Sequence, residues 1–330
     1  MASSAGTIDN FTIYDLEYFT GLTEVLLQNA NVFNAASRNA IRIIPRQIRG
    51  EYEKTTFMKN IASLITRRDP SSVAVVADKA LSQGEHVNVK CNRMIGPVAA
   101  TKDSFRKIAQ SPEELSYILG EQAGAAIAVD YLNTAITSAV AATKSNAALV
   151  KNYATTTITH KKLLETMALM GDRASRIVCW VMHSNIYYDL VGQALTDKIV
   201  NVADMAVAEG ITPTLGKPTI ISDSDSLVSL NSPSSAADDT YHVLGLTEDA
   251  MQIIESEERD AILAPVSGLA NLVIRWQGEY AYNMGLRGYS YKTTAGVNPT
   301  AATLAASANW EQVVTSDKDC LGVMLNVKAA

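Results

Sequence analysis

One long, uninterrupted helical pattern constrains this chain more than anything else in it. Ser111-Pro112-Glu113-Glu114 is a strong helix start, with a capping Ser, a Pro at the first helical position and two carboxylates near the positive end of the dipole. Leu115, Ile118, Gln122, Ala126, Val129, Leu132, Ile136 and Val140 then recur at spacings of three or four, which predicts a helix to about Thr143. That is roughly 45 Å of rod, longer than a typical globular helix.

At 330 residues and 47% hydrophobic content, the chain has enough apolar material for one large core or two smaller ones, and its length favours two domains. Charged residues make up only 19%, while small residues crowd residues 123–142 and 301–308. Such a chain covers much of its surface with neighbours rather than with charge. The net charge of -6 gives no field that pulls the whole protein toward nucleic acid, so any contact with DNA is local. Cys91, Cys179 and Cys320 are odd in number and far apart, which fits buried thiols in a reducing cytosol rather than a disulfide framework. Residues 1–10 lack the apolar core of a signal peptide, and no apolar run is expected to reach the ~18 to 20 residues of a membrane helix. A soluble, cytoplasmic setting is therefore expected.

Before the long helix, residues 15–29 have the spacing of a short amphipathic helix (Leu16, Phe19, Leu22, Leu26), within what reads as a free arm. Residues 39–97 read as a long hairpin with a decorated tip. His86 to Cys91 alternates like a strand, and residues 57–65 are predicted as a short helix closed by Asp69-Pro70. After the long helix comes an alternating α/β module: a helix over 161–170, a buried strand over 177–182 and a helix over 185–195. Gly216-Lys217-Pro218 feeds a strand through Ile220-Ile221, and residues 222–239, rich in Ser, Asp and Asn, read as a surface loop. Residues 241–246 and 251–255 are strand-like, 272–282 and 286–292 form a predicted β pair around Asn283-Met284-Gly285, and 321–327 alternates as a last strand. The fold class is α+β.

The usual catalytic constellations are missing. There is no Gly-x-Ser-x-Gly elbow, no phosphate-binding Gly-Lys-Ser/Thr loop and no paired His or Cys-x-x-Cys metal signature, and His86, His160, His183 and His242 are scattered. His183 beside Ser184 and near Cys179 reads as a strand-to-helix junction, with Ser184 or Asn185 capping. Asp223 and Asp225 alternate with serines, yet lack the Gly and distal Glu of a calcium loop. Glu255, Glu257, Glu258 and Asp260 read as a solvated polar connection. No catalytic, cofactor or metal residue is assigned. The basic spots Arg46, Arg49, Arg67 and Arg68 lack interleaved aromatics, so they are the candidates for contacts between subunits rather than for nucleic-acid readout.

The order of the pieces is arm, extended hairpin, rod helix, α/β module and returning strands, and this order resembles the Hong Kong 97-type major capsid (coat) proteins of tailed double-stranded DNA bacteriophages. Trp180-Val181-Met182-His183-Ser184 before a Tyr-containing helix, Gly216-Lys217-Pro218 leading to Ile220-Ile221-Ser222-Asp223, and Trp310-Glu311 before the final strand carry the same likeness. The resemblance implies an N-terminal arm over 1–38 and an E-loop hairpin over 39–97. It further implies a P (peripheral) domain over 98–160 and 267–330, containing the spine helix 111–143, and an A (axial) domain over 161–266. It implies a non-enzymatic shell protein, assembled in the host bacterial cytoplasm into hexamers and pentamers of an icosahedral head. Its partners would be itself, a separate scaffolding protein, a portal at one vertex, packaged double-stranded DNA contacted non-specifically and a possible decoration protein, with no membrane and no cofactor. The alternative on the same fold is an encapsulin-like nanocompartment shell around an enzyme cargo. Some members of this fold join an E-loop Lys to a neighbour's Asn. Lys54, Lys59 and Lys79 have no acidic catalyst beside them in sequence, so noncovalent shells are expected.

Overall fold

Two β-sheets close around a single long helix in the computed structural model, which describes residues 34–35, 37–46, 50–59, 61, 64–101, 112–202, 214–230, 239–255, 260–266, 268, 270–271 and 273–329. The helix, α1 (Pro112–Lys144), is 33 residues long, about 50 Å. Its capping Ser111 lies outside the described residues, as do the amphipathic stretch at 15–29 and Arg49.

Over residues 122–129 the face that α1 buries differs from the one expected, whereas Ile136 and Val140 are buried as expected. Gln122, Ala126 and Val129 are exposed, whereas Ala123, Ile127 and Tyr131 are buried, and from Thr134 to Thr143 every residue but Thr137 is buried. An Ala-rich helix offers more than one stripe at three-to-four spacing. The stripe that carries Tyr131 and Ile127 removes more apolar area from water. The stretch Tyr117–Lys144 also corrects the expectation about membrane-length runs: it is long and apolar enough to cross a membrane by composition, with a mean hydropathy of 1.3 over its most apolar 18 residues. Of its most apolar window 61% is buried inside the protein, which accounts for that composition.

The first sheet runs β1 (Ile41–Pro45), β9 (Met251–Glu255), β11 (Val273–Leu286), β12 (Tyr289–Tyr291) and β13 (Trp310–Gln312). On β11 also pair β10 (Asp260–Val266) and β3 (Gln83–Thr101), and β3 carries β2 (Tyr52–Met58) on its first half. At 19 residues β3 spans about 60 Å, and Val87 to Cys91, near its middle, is its main buried stretch. The second sheet runs β4 (Val150–Thr157), β14 (Gly322–Lys328), β8 (Thr240–Thr247), β5 (Ile177–Met182) and β6 (Thr219–Ile221), with β7 (Val228–Ser229) on β8. Each sheet draws strands from both sides of the boundaries expected at 161 and 266: β4 and β14 join β8 and β5, and β9 joins β11.

Alternation along the second sheet sorts its side chains to two cores. Trp180, Met182, Val243, Leu325 and Val327 pack with Leu163 of α2 (His160–Met167) and with Ile186 and Leu190 of α3 (Ser184–Val202). Cys179, Val181, Leu244, Leu246 and Met324 share the other core with α1. The short helix α4 (Ala301–Ala305) covers α1 near the chain's end.

Several local expectations are corrected. Phe57 and Met58 finish β2 by pairing with Gly84 and Gln83, and Ile61, Leu64 and Ile65 are not helical. The β pair turns at Arg287-Gly288, not at Asn283-Met284-Gly285, which lies inside β11 with Asn283 and Met284 fully buried. Residues 222–230 are not simply a surface loop: a short 3-10 turn buries Leu227 completely, and β7 pairs with β8. Strands β4 and β10 were not legible, because β4 is polar and half-buried and β10, among the described residues, is paired on one side only.

Candidate functional site

The hairpin of β2 and β3 projects a tip with no core of its own. Its neck is closed where the Lys59 N–H donates to Ser82 O at 2.9 Å. Beyond the neck, Asp69-Pro70 makes a turn in which the Asp69 carboxylate accepts from the Ser71 N–H at 3.0 Å. Every residue from 64 to 83 is exposed, including Ile65 at 93%, Val73 at 103% and Val75 at 98%, with Leu64, Val76 and Leu81 close behind. Single exposed apolar residues are ordinary, but this many along one segment mark a surface meant for another molecule.

At the other end of the hairpin, a polar cluster ties β3 to α1 and β11. Asp130 on α1 accepts from the Tyr280 hydroxyl at 2.9 Å, the Tyr282 hydroxyl at 3.0 Å and Arg93 Nε at 3.3 Å. Tyr282 also lies 2.9 Å from Thr134 Oγ1; with its one proton given to the carboxylate, it accepts from Thr134 there. The Tyr131 ring meets that of Tyr282 edge-on at 4.8 Å, and the Arg93 guanidinium stands 5.8 Å above Tyr282. Burial first, and then neighbouring negative charge including Asp130, pushes both tyrosines well above the ordinary phenol range, so they stay protonated donors. The strand that carries the tip is thus locked to the rod by charge-assisted hydrogen bonds.

Of the four arginines singled out in the sequence, Arg49 lies outside the described residues, and Arg46 is not on the segment that carries Arg67 and Arg68. Arg46 sits at the hairpin's base, where its N–H donates to Glu255 O and its side chain pairs with Glu53 in the same chain. Arg67 and Arg68 lie side by side on the exposed tip and make no ion pair among the described residues. The apolar residues around them were missed. Val73-Ala74-Val75-Val76 was the available signal, an apolar run rich in β-branched valine with nothing in the flanking pattern to bury it.

A family model described as major capsid protein 13-like matches residues 10–324. The chain belongs to this family of major capsid proteins. Solved structures with a similar fold include the capsid asymmetric unit of cyanophage Pam1 (11% identity, 88% of each chain covered, TM-score 0.51). The capsid of Ralstonia phage GP4 is another (9% identity, 88% of this chain and 87% of that one, TM-score 0.52). So is the capsid of cyanophage P-SCSP1u (12% identity, 89% and 87%, TM-score 0.50). No curated protein matches. The α+β architecture is thus a phage capsid fold, and the chain is a capsid shell protein, a component of the virion. The nanocompartment alternative is not favoured by these matches.

The remaining sequence candidates in the capsid protein are structural. At the junction before α3, the Asp223 carboxylate accepts the Ser184 N–H at 3.4 Å and His183 Nδ1 accepts the Asn185 N–H at 3.2 Å, so the cap comes from these two rather than from Ser184 or Asn185. Asp223 is held below the usual carboxylate range, chiefly by its side-chain hydrogen bond to Ser184. Glu255 ends β9, with Tyr131 Oη 3.4 Å away, and Asp260 opens β10. Cys91, Cys179 and Cys320 are free and buried; burial pushes their thiols up to about 12, 11 and 12, which leaves them unreactive. Among the described residues, no group of three or more His, Cys, Asp or Glu side chains is placed to hold a metal ion.

His242 on β8 is the one histidine built into a buried network. Its Nε2 lies 2.7 Å from Ser229 Oγ, its Nδ1 2.8 Å from Asn326 Oδ1, and Lys144 at the end of α1 donates to Ser229 at 3.4 Å. The network bonds α1, β7, β8 and β14 together. Burial first, then the Lys144 charge, pushes His242 down to about 4, against the raising effect of Asn326. The unfolded chain therefore binds this proton more readily than the folded one, so the contribution is complete above ~6.5 and is lost as pH falls toward about 4. We expect a loss on the order of 2–3 kcal/mol from this group. Urea midpoints measured from pH 7 to 4.5 on the wild type and His242→Gln should show a shallower fall in the variant; parallel curves would contradict it.

Proposed function

We propose that this capsid protein assembles, as hexamers and pentamers, into an icosahedral head around packaged double-stranded DNA, and that it acts without catalysis. The single observation that carries the reading is the exposed hairpin tip, whose apolar side chains are covered only when another subunit lies against them. On this reading residues 1–38 are the N-terminal arm, 39–97 the E-loop, 98–160 with 267–330 the P domain and 161–266 the A domain. Arg67 and Arg68 then meet carboxylates of adjacent subunits. A separate scaffolding protein, a portal at one vertex and a decoration protein complete the set of protein partners, and contact with DNA is local and independent of sequence, as the net charge of -6 favours.

Co-expression with the scaffolding protein, followed by electron microscopy, tests this directly: closed shells are expected, and a stable monomer at high concentration contradicts them. The shells are held noncovalently. Denaturing gels of mature particles should show one band near 35.5 kDa, whereas a ladder of multimers would mean that a lysine cross-link forms.

A further inference from the structure

We propose that the acidic groove between α1 and residues 222–226 is the receptor for the hairpin tip of a second copy of this chain, with Asp225 facing Arg67 and Arg68. The inference rests on the reading of the tip as an assembly contact and names the surface that receives it.

The groove is a hollow of about 500 Å³. Its floor is the stripe of α1 that the sequence pattern assigned to the core and the structure leaves open: Val129 is 59% exposed, and Leu132 beside it is half-buried. Its rim carries Asp223, kept ionised by the Ser184 bond, and Asp225, exposed and without an ion pair among the described residues. An apolar floor with an acidic rim matches what the tip presents. Leu64 and Ile65 precede Arg67 and Arg68 on one segment without regular secondary structure, all four exposed. Apolar burial supplies the attraction, and the charges fix the register and disfavour other surfaces. The hollow at the hairpin's base, which Asp249 lines, fits worse: Arg42 already pairs with Asp249 at 2.9 Å, and Arg287 also lines it. Asp223 in the groove is itself engaged by Ser184 and lies 3.6 Å from His183 Nε2, so what separates the two hollows is Asp225, whose charge has no ion pair among the described residues.

Two variants of the full chain with one added cysteine each, Arg68→Cys and Asp225→Cys, assembled together into particles and oxidised, provide the geometric test. The three native thiols are buried and give little background. A dimer band is expected only from the mixture, and particles that form without it overturn the groove as the receptor. Charge variants separate the two levels of the argument. Arg67→Glu with Arg68→Glu should cut particle yield at least tenfold with an unchanged melting curve; Asp225→Arg should also lower yield; and Arg68→Glu combined with Asp225→Arg should recover part of it. Normal particles from the double arginine variant, or a collapsed melt, overturn the underlying reading of the tip. Loss of particles from that variant, with Asp225→Arg silent and no cross-link, overturns the groove alone. An Asp225→Arg block without any cross-link assigns the groove to a different protein and likewise overturns the proposal.

Discussion

Asp130→Ala is expected to lower the unfolding free energy of the isolated subunit by about 3–4 kcal/mol. The carboxylate receives two phenol protons and the Arg93 guanidinium, and its removal leaves the Tyr280 hydroxyl and Arg93 without the group they face. Tyr282 keeps Thr134 and loses less. Partial exposure, 30% for Asp130 and 23% for Arg93, keeps the figure below that of a fully buried pair. Asp130→Asn retains the shape and one acceptor oxygen, and about half the loss is expected. Urea unfolding followed by tryptophan fluorescence measures both. Because the cluster joins α1, β3 and β11, the effect on assembly should exceed the effect on folding: a hairpin that rocks on its mount presents its tip in many orientations, and particle yield falls even where the subunit stays folded. A double-mutant cycle with Tyr282→Phe isolates the shared term. A loss below 1 kcal/mol for Asp130→Ala would show that the sheet, not the cluster, holds the hairpin to the rod.

How much of this could be read in the sequence depends on whether the signal was local. The start of α1 was legible because Pro and two carboxylates act within one helical turn, and β5 was legible because Ile177 to Met182 is an apolar run of strand length. The clamp was not, since it joins residues 37 to 152 positions apart. A trace of it existed: Asp130 is the only charged residue between Glu121 and Lys144, and a lone carboxylate in an apolar helix needs a partner. The misplaced turn has the same cause. Asn283-Met284-Gly285 has turn composition, but Gly285 is there for space, because a Cβ would stand 2.7 Å from Asn88 Oδ1 of the neighbouring strand. The true turn is at Gly288, with φ at +79°. The groove was hidden for a further reason: the stripe holding Val129 and Leu132 looked like the core-facing side of the helix. Apolar spacing marks what is to be covered, and in a shell subunit the cover can come from another chain.

Gly322→Ala is expected to have the largest effect on the subunit itself, about 4 kcal/mol or more. Gly322 opens β14 opposite Leu246, at φ +154°, and a Cβ there would lie 1.9 Å from the carbonyl oxygen of Gly245 and 3.0 Å from its carbonyl carbon. Neither atom can yield, for Gly245 is itself pressed against the Trp180 ring, where an added Cβ would come within 2.7 Å. The strands would have to part at the point where Thr247 donates twice to Leu321 O, through its N–H at 2.9 Å and its hydroxyl at 3.0 Å. Opening that corner unseats β14, the strand that joins β4 to β8 and contributes Leu325 and Val327 to one core and Met324 to the other. Gly296→Ala is the matched control: its φ of +95° also disfavours a side chain, but nothing lies within 4 Å of the added carbon. It should cost about 1–2 kcal/mol from the backbone conformation alone. The difference between the two variants then measures the clash. If the control destabilises as much as Gly322→Ala, the backbone conformation sets the requirement for glycine, and the close approach of β14 to β8 is incidental.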